Sequence, residues 1–233
     1  AFQGDQTLRE KAIDTMRRST RYFRSEVATR GGYLWRYASD LGARQGERGA
    51  TTSQIWVQPP GTPTIGSRFL DAYEATGDTI FLHGAVDASH ALVWGQLSTG
   101  GWDYLIDFAP ERAEGWHYRR DVERGDADPG DRKHTSVFDD DTSQSAMRLL
   151  RRVDAALDFK DAEIHSAVEY GLDGILGAQY SNGAWPQRHD GFQDPTAHTP
   201  RKARYADAWS RTWTEPDFHA YYTFNDGAME DLL

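Results

Sequence analysis

Three consecutive carboxylates, Asp139, Asp140 and Asp141, stand in the second half of the chain, directly after an apolar Val-Phe pair. A threonine and a serine follow them, and both residue types are common at the N-cap of a helix. Helical spacing of apolar residues continues to Leu150 and beyond. The pattern predicts that the three acids lie at the mouth of a helix, with Thr142 and Ser143 as candidate caps.

Adjacent carboxylates repel one another, so this arrangement costs free energy unless something compensates the charge. A hard divalent cation, an arginine or the positive end of the helix dipole would each do so. The first of these predicts a metal site. The alternative is a solvated acidic cap, which the same helix dipole favours.

Composition limits the classes of function. The 233 residues suit one domain with a real core, and a formal net charge of -10 argues against nucleic acid as a partner. With no cysteine, the chain has no disulfide, zinc-thiolate site or thiol nucleophile. There is no apolar run of about 18 residues, so no membrane span is expected. An anionic substrate is not excluded, provided that a metal and local arginines reverse the sign of the charge at the site.

The elements around the acids form an internal repeat. Residues 69–102 align with residues 149–185 as helix, turn, helix and a Gly-Trp loop, and Trp102 and Trp185 are 185 - 102 = 83 positions apart. A first helix is predicted from a capping box at Thr7 to Gly31, and another from Asn225 to Leu232. Helical repeats that bury apolar faces against neighbours form solenoids or toroids. We therefore expect one all-α domain over 1–233, an α/α toroid, with a charged surface insertion near 109–134 and a long loop near 186–222.

Three motifs carry a family resemblance: FDDDT at 138–142, QYSNGAWPQ at 179–187 and YTFNDGAM at 222–229. Together they resemble the family 10 pectate lyases, most closely in the second half of the chain. The resemblance implies an (α/α)3-like toroid and calcium-assisted β-elimination of polygalacturonate. It also implies a secreted or periplasmic bacterial protein.

The resemblance assigns Asp139 and Asp226 to the family's two aspartates at the calcium and substrate site. Asp140, a third candidate ligand, stands where the family has asparagine, and Gly227 stands where it has a second aspartate. Substrate contacts are expected from Trp185, Arg188, Arg204 and Thr223. The arginines would bind uronate carboxylates or simply be solvated loop charges.

Several expectations remain open at this stage. Trp185 would either stack on a sugar ring or anchor its loop in the core. His134 and His189 lack a partner at helical ligand spacing, so surface or hydrogen-bonding roles are favoured over metal binding. The family's base is an arginine, which by position would lie beyond Leu233, and the toroid is therefore expected to be incomplete at this end.

Two other functions compete with a lyase that acts on an acidic polysaccharide. The first is an inverting glycoside hydrolase on an α/α toroid that uses Asp139 and Asp226 as acid and base. The second is a non-catalytic carbohydrate-binding module, since the base is not assigned.

Overall fold

The computed structural model of the protein describes residues 3–191 and 224–233. Helices dominate this part of the chain. Seven α-helices are described, the first of which continues into a π-helical turn at Phe23–Val27: α1 (Gln3–Tyr22), α2 (Thr62–Thr76), α3 (Thr79–Trp94), α4 (Pro110–Ala113), α5 (Arg119–Glu123), α6 (Thr142–Ala156) and α7 (Ala162–Ala178). The predicted all-α class is confirmed, and the paired helices α2–α3 and α6–α7 are consistent with the hairpins of an α/α toroid.

The strands are short and connect the loops at the helix ends. Each pairs with one antiparallel partner, β1 with β2, β3 with β4 and β5 with β6. Their bounds are β1 (Arg36–Tyr37), β2 (Arg44–Gln45), β3 (Gln54–Trp56), β4 (Leu105–Asp107), β5 (Ser136–Val137) and β6 (Arg188–His189). The second and third ladders fix the loops that carry the site.

Helices α2 and α3 form a hairpin whose turn the sequence predicts correctly. Gly77 closes α2 in the left-handed conformation, at φ 70°, where glycine carries no steric penalty. Asp78 caps α3, and its carboxylate accepts a hydrogen bond of 3.1 Å from the Ile80 amide. In the second hairpin Asp161 caps α7 in the same way.

The internal repeat extends to individual hydrogen bonds. The indole Nε1 of Trp102 donates to the Leu92 carbonyl, and that of Trp185 donates to the Ile175 carbonyl, both at 2.8 Å and both across ten residues. A glutamine hydrogen bond also occurs at corresponding positions in the two copies. The side-chain amide of Gln96 donates to the Gly100 carbonyl, and that of Gln179 donates to the Gly183 carbonyl. The predicted repeat is therefore confirmed, and its tryptophans anchor the loops that follow α3 and α7.

The core lies where the two hairpins meet. Leu70 of α2, Leu92 of α3 and Leu150 of α6 are fully buried there. Gly66 lets α2 and α6 approach closely, because an added Cβ would lie 2.4 Å from Leu149 Cδ2. The backbone spacing therefore depends on the absence of a side chain at this position.

One predicted helix start is wrong, and one predicted α-helix does not form. Helix α1 is already formed at Gln3, so the capping box at Thr7 lies inside the helix. The predicted helix from Asn225 to Leu232 is replaced by two 3-10 turns, Asn225–Gly227 and Glu230–Leu232. Asp226 and Gly227 have φ values of 52° and 68°, a left-handed backbone that cannot continue a right-handed helix.

The charged segment near 109–134 contains α4 and α5 and is anchored by buried side chains. His117 and Tyr118 are 1% and 2% exposed, and Tyr118 packs with Ala113 and Leu97. The segment is thus less irregular than its charge pattern suggests.

The long loop predicted near 186–222 is described only as far as residue 191. No helix in the described ranges combines the length and the apolar character that a membrane span requires.

Candidate metal and carbohydrate site

The acidic triplet lies in a 3-10 turn, Asp139–Asp141, between β5 and α6. Strand β5 pairs with β6, and the Phe138 amide, next along the chain, donates to the Gln187 carbonyl at 2.9 Å. The predicted helix mouth is confirmed, but Asp141 occupies the N-cap position. Instead of capping, the Ser143 hydroxyl accepts a hydrogen bond of 3.0 Å from the amide of Trp102.

The turn at 225–227 has the same backbone form as the turn at 139–141. Asp140 and Asp226 both have φ 52°, and each is followed by a second left-handed residue. A buried glutamine, Gln144, joins the turns, because its Nε2 donates to the carbonyls of Phe138 at 2.6 Å and Ala228 at 3.1 Å. The repeat therefore brings two distant acidic turns together.

Three carboxylates converge where these turns meet. Asp139, Asp140 and Asp226 each offer an oxygen, and these atoms lie within 4.8 Å of one another. The three residues predicted as metal ligands are therefore adjacent in space. Asp139 and Asp140 are half-buried and Asp226 is exposed, so the cluster opens to solvent on one side.

Asp139 is held by a tyrosine. The Tyr104 hydroxyl donates to Asp139 Oδ2 at 3.2 Å, whereas Asp139 Oδ1 is buried and accepts no hydrogen bond within the described ranges. Burial, followed by the charge of Asp139, raises the pKa of Tyr104 to about 12. The phenol is therefore a neutral donor at physiological pH.

Asp140 is held by a glutamine. Gln58 Nε2 donates to Asp140 Oδ2 at 2.8 Å. The other side of this amide is fixed, because Trp56 Nε1 donates to Gln58 Oε1 at 3.0 Å. Burial, followed by the charges of Asp139 and Asp226, raises the pKa of Asp140. Burial and neighbouring like charges both disfavour the ionised carboxylate.

Asp141 does not join the cluster. Its carboxylate forms an ion pair with Arg148, which also lies 3.8 Å from Asp231. Burial raises the pKa of Asp141, and Arg148 opposes that shift. Only two of the three consecutive acids therefore face the common space.

Arg188 lies beside the cluster, in β6. Its guanidinium carbon is 5.7 Å from the centre of the Tyr104 ring, and its buried Nε makes no hydrogen bond within the described ranges. Arg188 also lines a pocket of about 300 Å³ with Lys133 and His134. We call this the basic pocket. Tyr104 links this pocket to the cluster, because it lies beside Arg188 and its hydroxyl donates to Asp139.

The remaining residues considered as substrate contacts or metal ligands divide into three groups. Trp185 is 6% exposed and its indole is bound to a backbone carbonyl, which favours loop anchoring over sugar stacking. Arg204 and Thr223 lie outside the described residues. His134 Nδ1 is 2.9 Å from the Arg132 carbonyl oxygen, and buried His189 has a pKa lowered by desolvation to about 4. Neither histidine belongs to the metal cluster.

Sequence reasoning missed Gln58 and Tyr104. Gln58 directly precedes the Pro-Pro-Gly turn at 59–61, and it reaches Asp140 across 82 positions. Tyr104 follows the repeat tryptophan Trp102 by two residues. No spacing rule pointed to either residue. The position of Tyr104 just after the Gly-Trp loop of the repeat was nevertheless a usable signal.

Comparison with known proteins identifies the family. The profile of the pectic acid lyase family matches residues 96–233, more than half of the chain. The chain therefore belongs to the pectic acid lyase family, as its motifs predicted. None of the curated proteins matches it significantly.

Two solved structures are similar to the chain at low identity. A family 10 polysaccharide lyase from Cellvibrio cellulosa is 20% identical, with a TM-score of 0.47, over 83% of this chain and 57% of that one. A mutant of a family 10 polysaccharide lyase from the same organism, in complex with trigalacturonic acid, is 20% identical, with a TM-score of 0.48, over 81% and 54%. The chain thus spans just over half the length of these proteins.

Proposed function

We propose that this chain is a lyase domain that acts on a pectate-like acidic polysaccharide by β-elimination, with Ca²⁺ bound by Asp139, Asp140 and Asp226. The observation that carries the proposal is the convergence of these three carboxylates, from two turns distant in sequence, to within 4.8 Å. Membership of the pectic acid lyase family supports the class of reaction.

The donor set fits calcium. Ca²⁺ takes about six to eight oxygen ligands, and carboxylates are typical among them. Among the described residues, none donates a hydrogen bond to the buried Asp139 Oδ1, which is the state expected of an oxygen that a cation can satisfy. Burial and the charges of Asp139 and Asp226 raise the pKa of Asp140, and a divalent ion would offset both effects by favouring the ionised carboxylate. Solvent-side exposure of Asp226 leaves room for water and substrate oxygens.

When bound, the ion would supply the charge that neutralises a uronate carboxylate and so acidifies the adjacent C5 proton. The chain's own residues orient the ligands. Tyr104 holds one oxygen of Asp139, and Gln58 holds one oxygen of Asp140. Both contacts leave the second carboxylate oxygen of each residue available for other partners.

Arg188 is the residue we assign to substrate binding. Its guanidinium lies beside Tyr104, and Arg188 lines the basic pocket together with Lys133. A planar guanidinium can bind a carboxylate through two parallel hydrogen bonds.

We assign the base that removes the C5 proton to no described residue, and the arginine implied by the resemblance remains a prediction. A polymeric substrate places the protein outside the cytoplasm, either secreted or periplasmic.

The geometry disfavours the inverting hydrolase. Its acid and base must stand about 6.5–9.5 Å apart to admit a water molecule. Oxygens of Asp139 and Asp226 lie within 4.8 Å, which is closer than that mechanism allows.

The experiment incubates the protein with polygalacturonate and calcium and follows ultraviolet absorbance and reducing ends together. A new C4=C5 double bond absorbs, so we expect absorbance and reducing ends to rise in parallel and to disappear with a chelator. Asp226→Ala should abolish both, whereas Asp158→Ala, which removes an exposed acid paired with Lys160, should change neither. Reducing ends without absorbance would show a hydrolase, and calcium-dependent binding without either signal would show a binding module.

A further inference from the structure

A second pocket, of about 490 Å³, lies away from the aspartate cluster and is rich in arginine. Arg30, Arg120, Arg124 and Arg132 line it, and we call it the arginine pocket. Two acids, Glu114 and Asp121, also line it, so cations are in excess locally. This contrasts with the net charge of -10 of the whole chain.

Arg120 is the central residue of this pocket. Its guanidinium carbon lies 3.8 Å from the ring centres of both Trp94 and Tyr118, and it donates to the Trp94 carbonyl. Burial is the largest influence on its pKa, which is lowered. Aromatic faces offset part of the cost of desolvating a cation, but they do not neutralise its charge. A half-buried guanidinium held in this way is preorganised for an anion.

The neighbouring arginines add to this charge. Arg30 stands 5.2 Å from the centre of the Phe108 ring, and both Arg30 and Arg124 are exposed. Within the described ranges neither Arg30, Arg120 nor Arg124 forms an ion pair with a carboxylate, whereas Arg132 is paired with Asp126 at 2.9 Å. Three arginines without a carboxylate ion pair in the described ranges therefore line one concave surface, where they outnumber its two acids.

The arginine pocket adjoins the basic pocket. Arg132 lines both this pocket and the basic pocket, and the basic pocket also contains Arg188. Arg188 lies beside Tyr104, which donates to Asp139. A line of shared residues thus connects the arginine pocket to the aspartate cluster.

We propose that the arginine pocket is an accessory site that binds carboxylates of an acidic polysaccharide at a distance from the aspartate cluster. The choice of polymer rests on the proposed function. The binding of carboxylates rests on the arginines alone, because guanidinium forks match the planar carboxylate and bind it bidentately. A polymer with a carboxylate on every sugar could contact this pocket and the cluster at the same time, which strengthens binding without any new contact at the cluster.

The test measures polygalacturonate binding by isothermal titration calorimetry in the presence of a chelator, so that no calcium contributes. The variants are Arg124→Ala and Arg30→Ala, both at exposed positions. Arg120 is left intact because it packs between two rings. The control is Arg151→Ala, an exposed arginine of α6 outside this pocket that changes the net charge by the same amount.

We expect the wild type to bind the polymer and each pocket variant to bind it about fivefold more weakly, with the control unchanged. Fully methyl-esterified polymer should not bind, and inorganic phosphate should compete only weakly. An equal loss of affinity in the control variant would show that net charge alone causes the effect, and this would overturn the proposal. Unchanged affinity in both pocket variants would overturn it as well. Phosphate that displaces the polymer fully at low concentration would show a site for small anions instead. The lyase assay with Asp226→Ala is read with calcium present, so its failure would leave this chelator experiment unaffected.

Discussion

Replacing Asp140 with asparagine removes one charge from the aspartate cluster and keeps the size and the left-handed backbone of the residue. Asparagine tolerates φ 52° better than most residues, and its carbonyl can still accept the hydrogen bond from Gln58. The substitution therefore isolates the electrostatic contribution. We expect it to stabilise the metal-free protein.

The magnitude follows from the spacing of the oxygens. At 4.8 Å, two unit charges repel by about 0.9 kcal/mol in water-like surroundings and by about 3.5 kcal/mol at an effective dielectric constant of 20. Asp140 faces Asp139 and Asp226, and the exposure of Asp226 places the value near the lower limit. The expected gain in unfolding free energy is about 1–2 kcal/mol, or a rise in Tm of roughly 2–8 °C for a chain of this size.

Calcium should raise the Tm of the wild type more than that of Asp140→Asn. The variant offers one fewer anionic ligand, so the rise in Tm on adding calcium should be smaller than in the wild type. Thermal unfolding followed by circular dichroism, with a chelator and then with calcium, measures both effects. Asp158→Asn is the matched control, because Asp158 has φ 53° but lies outside the cluster. A lower Tm for Asp140→Asn in chelator, or an equal gain in the control, would refute the reasoning.

Three further substitutions test the framework around the site. Trp185→Phe removes the donor to the Ile175 carbonyl and should cost about 1–3 kcal/mol in urea unfolding; weaker polysaccharide binding at unchanged stability would instead show sugar stacking. His189 is neutral in the fold with a pKa near 4, against about 6.5 when unfolded, so stability should fall as pH drops from about 6.5 to 4, and less steeply in His189→Phe. Gly66→Ala should lower stability by about 1–3 kcal/mol, since its Cβ would meet Leu149; an unchanged urea midpoint would contradict that close contact.

Local sequence signals predicted the helical hairpins well. Gly77 and Asp78 mark a stop and a cap that need no tertiary context, and Asp78 caps α3 as expected. The spacing of Trp102 and Trp185 predicted the repeat because each copy makes the same hydrogen bonds within itself. Such features depend on contacts close in sequence, which a pattern can show.

Features that depend on distant contacts were not predictable in this way. Asp226 was assigned to the metal site through a motif, but the same motif was read as the start of an α-helix and instead forms 3-10 turns. The contact of Gln58 with Asp140 joins residues 82 positions apart and depends on the orientation of Trp56. Arg120 had the pattern of a surface charge, and only the packing of Trp94 and Tyr118 around it shows otherwise.

The most direct test of the account is a calorimetric titration of calcium into the wild type, Asp139→Ala and Asp226→Ala. If the two acidic turns share one ion, the wild type binds one calcium per chain, and each variant binds it at least about tenfold more weakly, because each loses a charged oxygen ligand. Asp158→Ala should bind as the wild type does. Equal calcium affinity in the wild type and both cluster variants, or no binding by the wild type, would contradict the account.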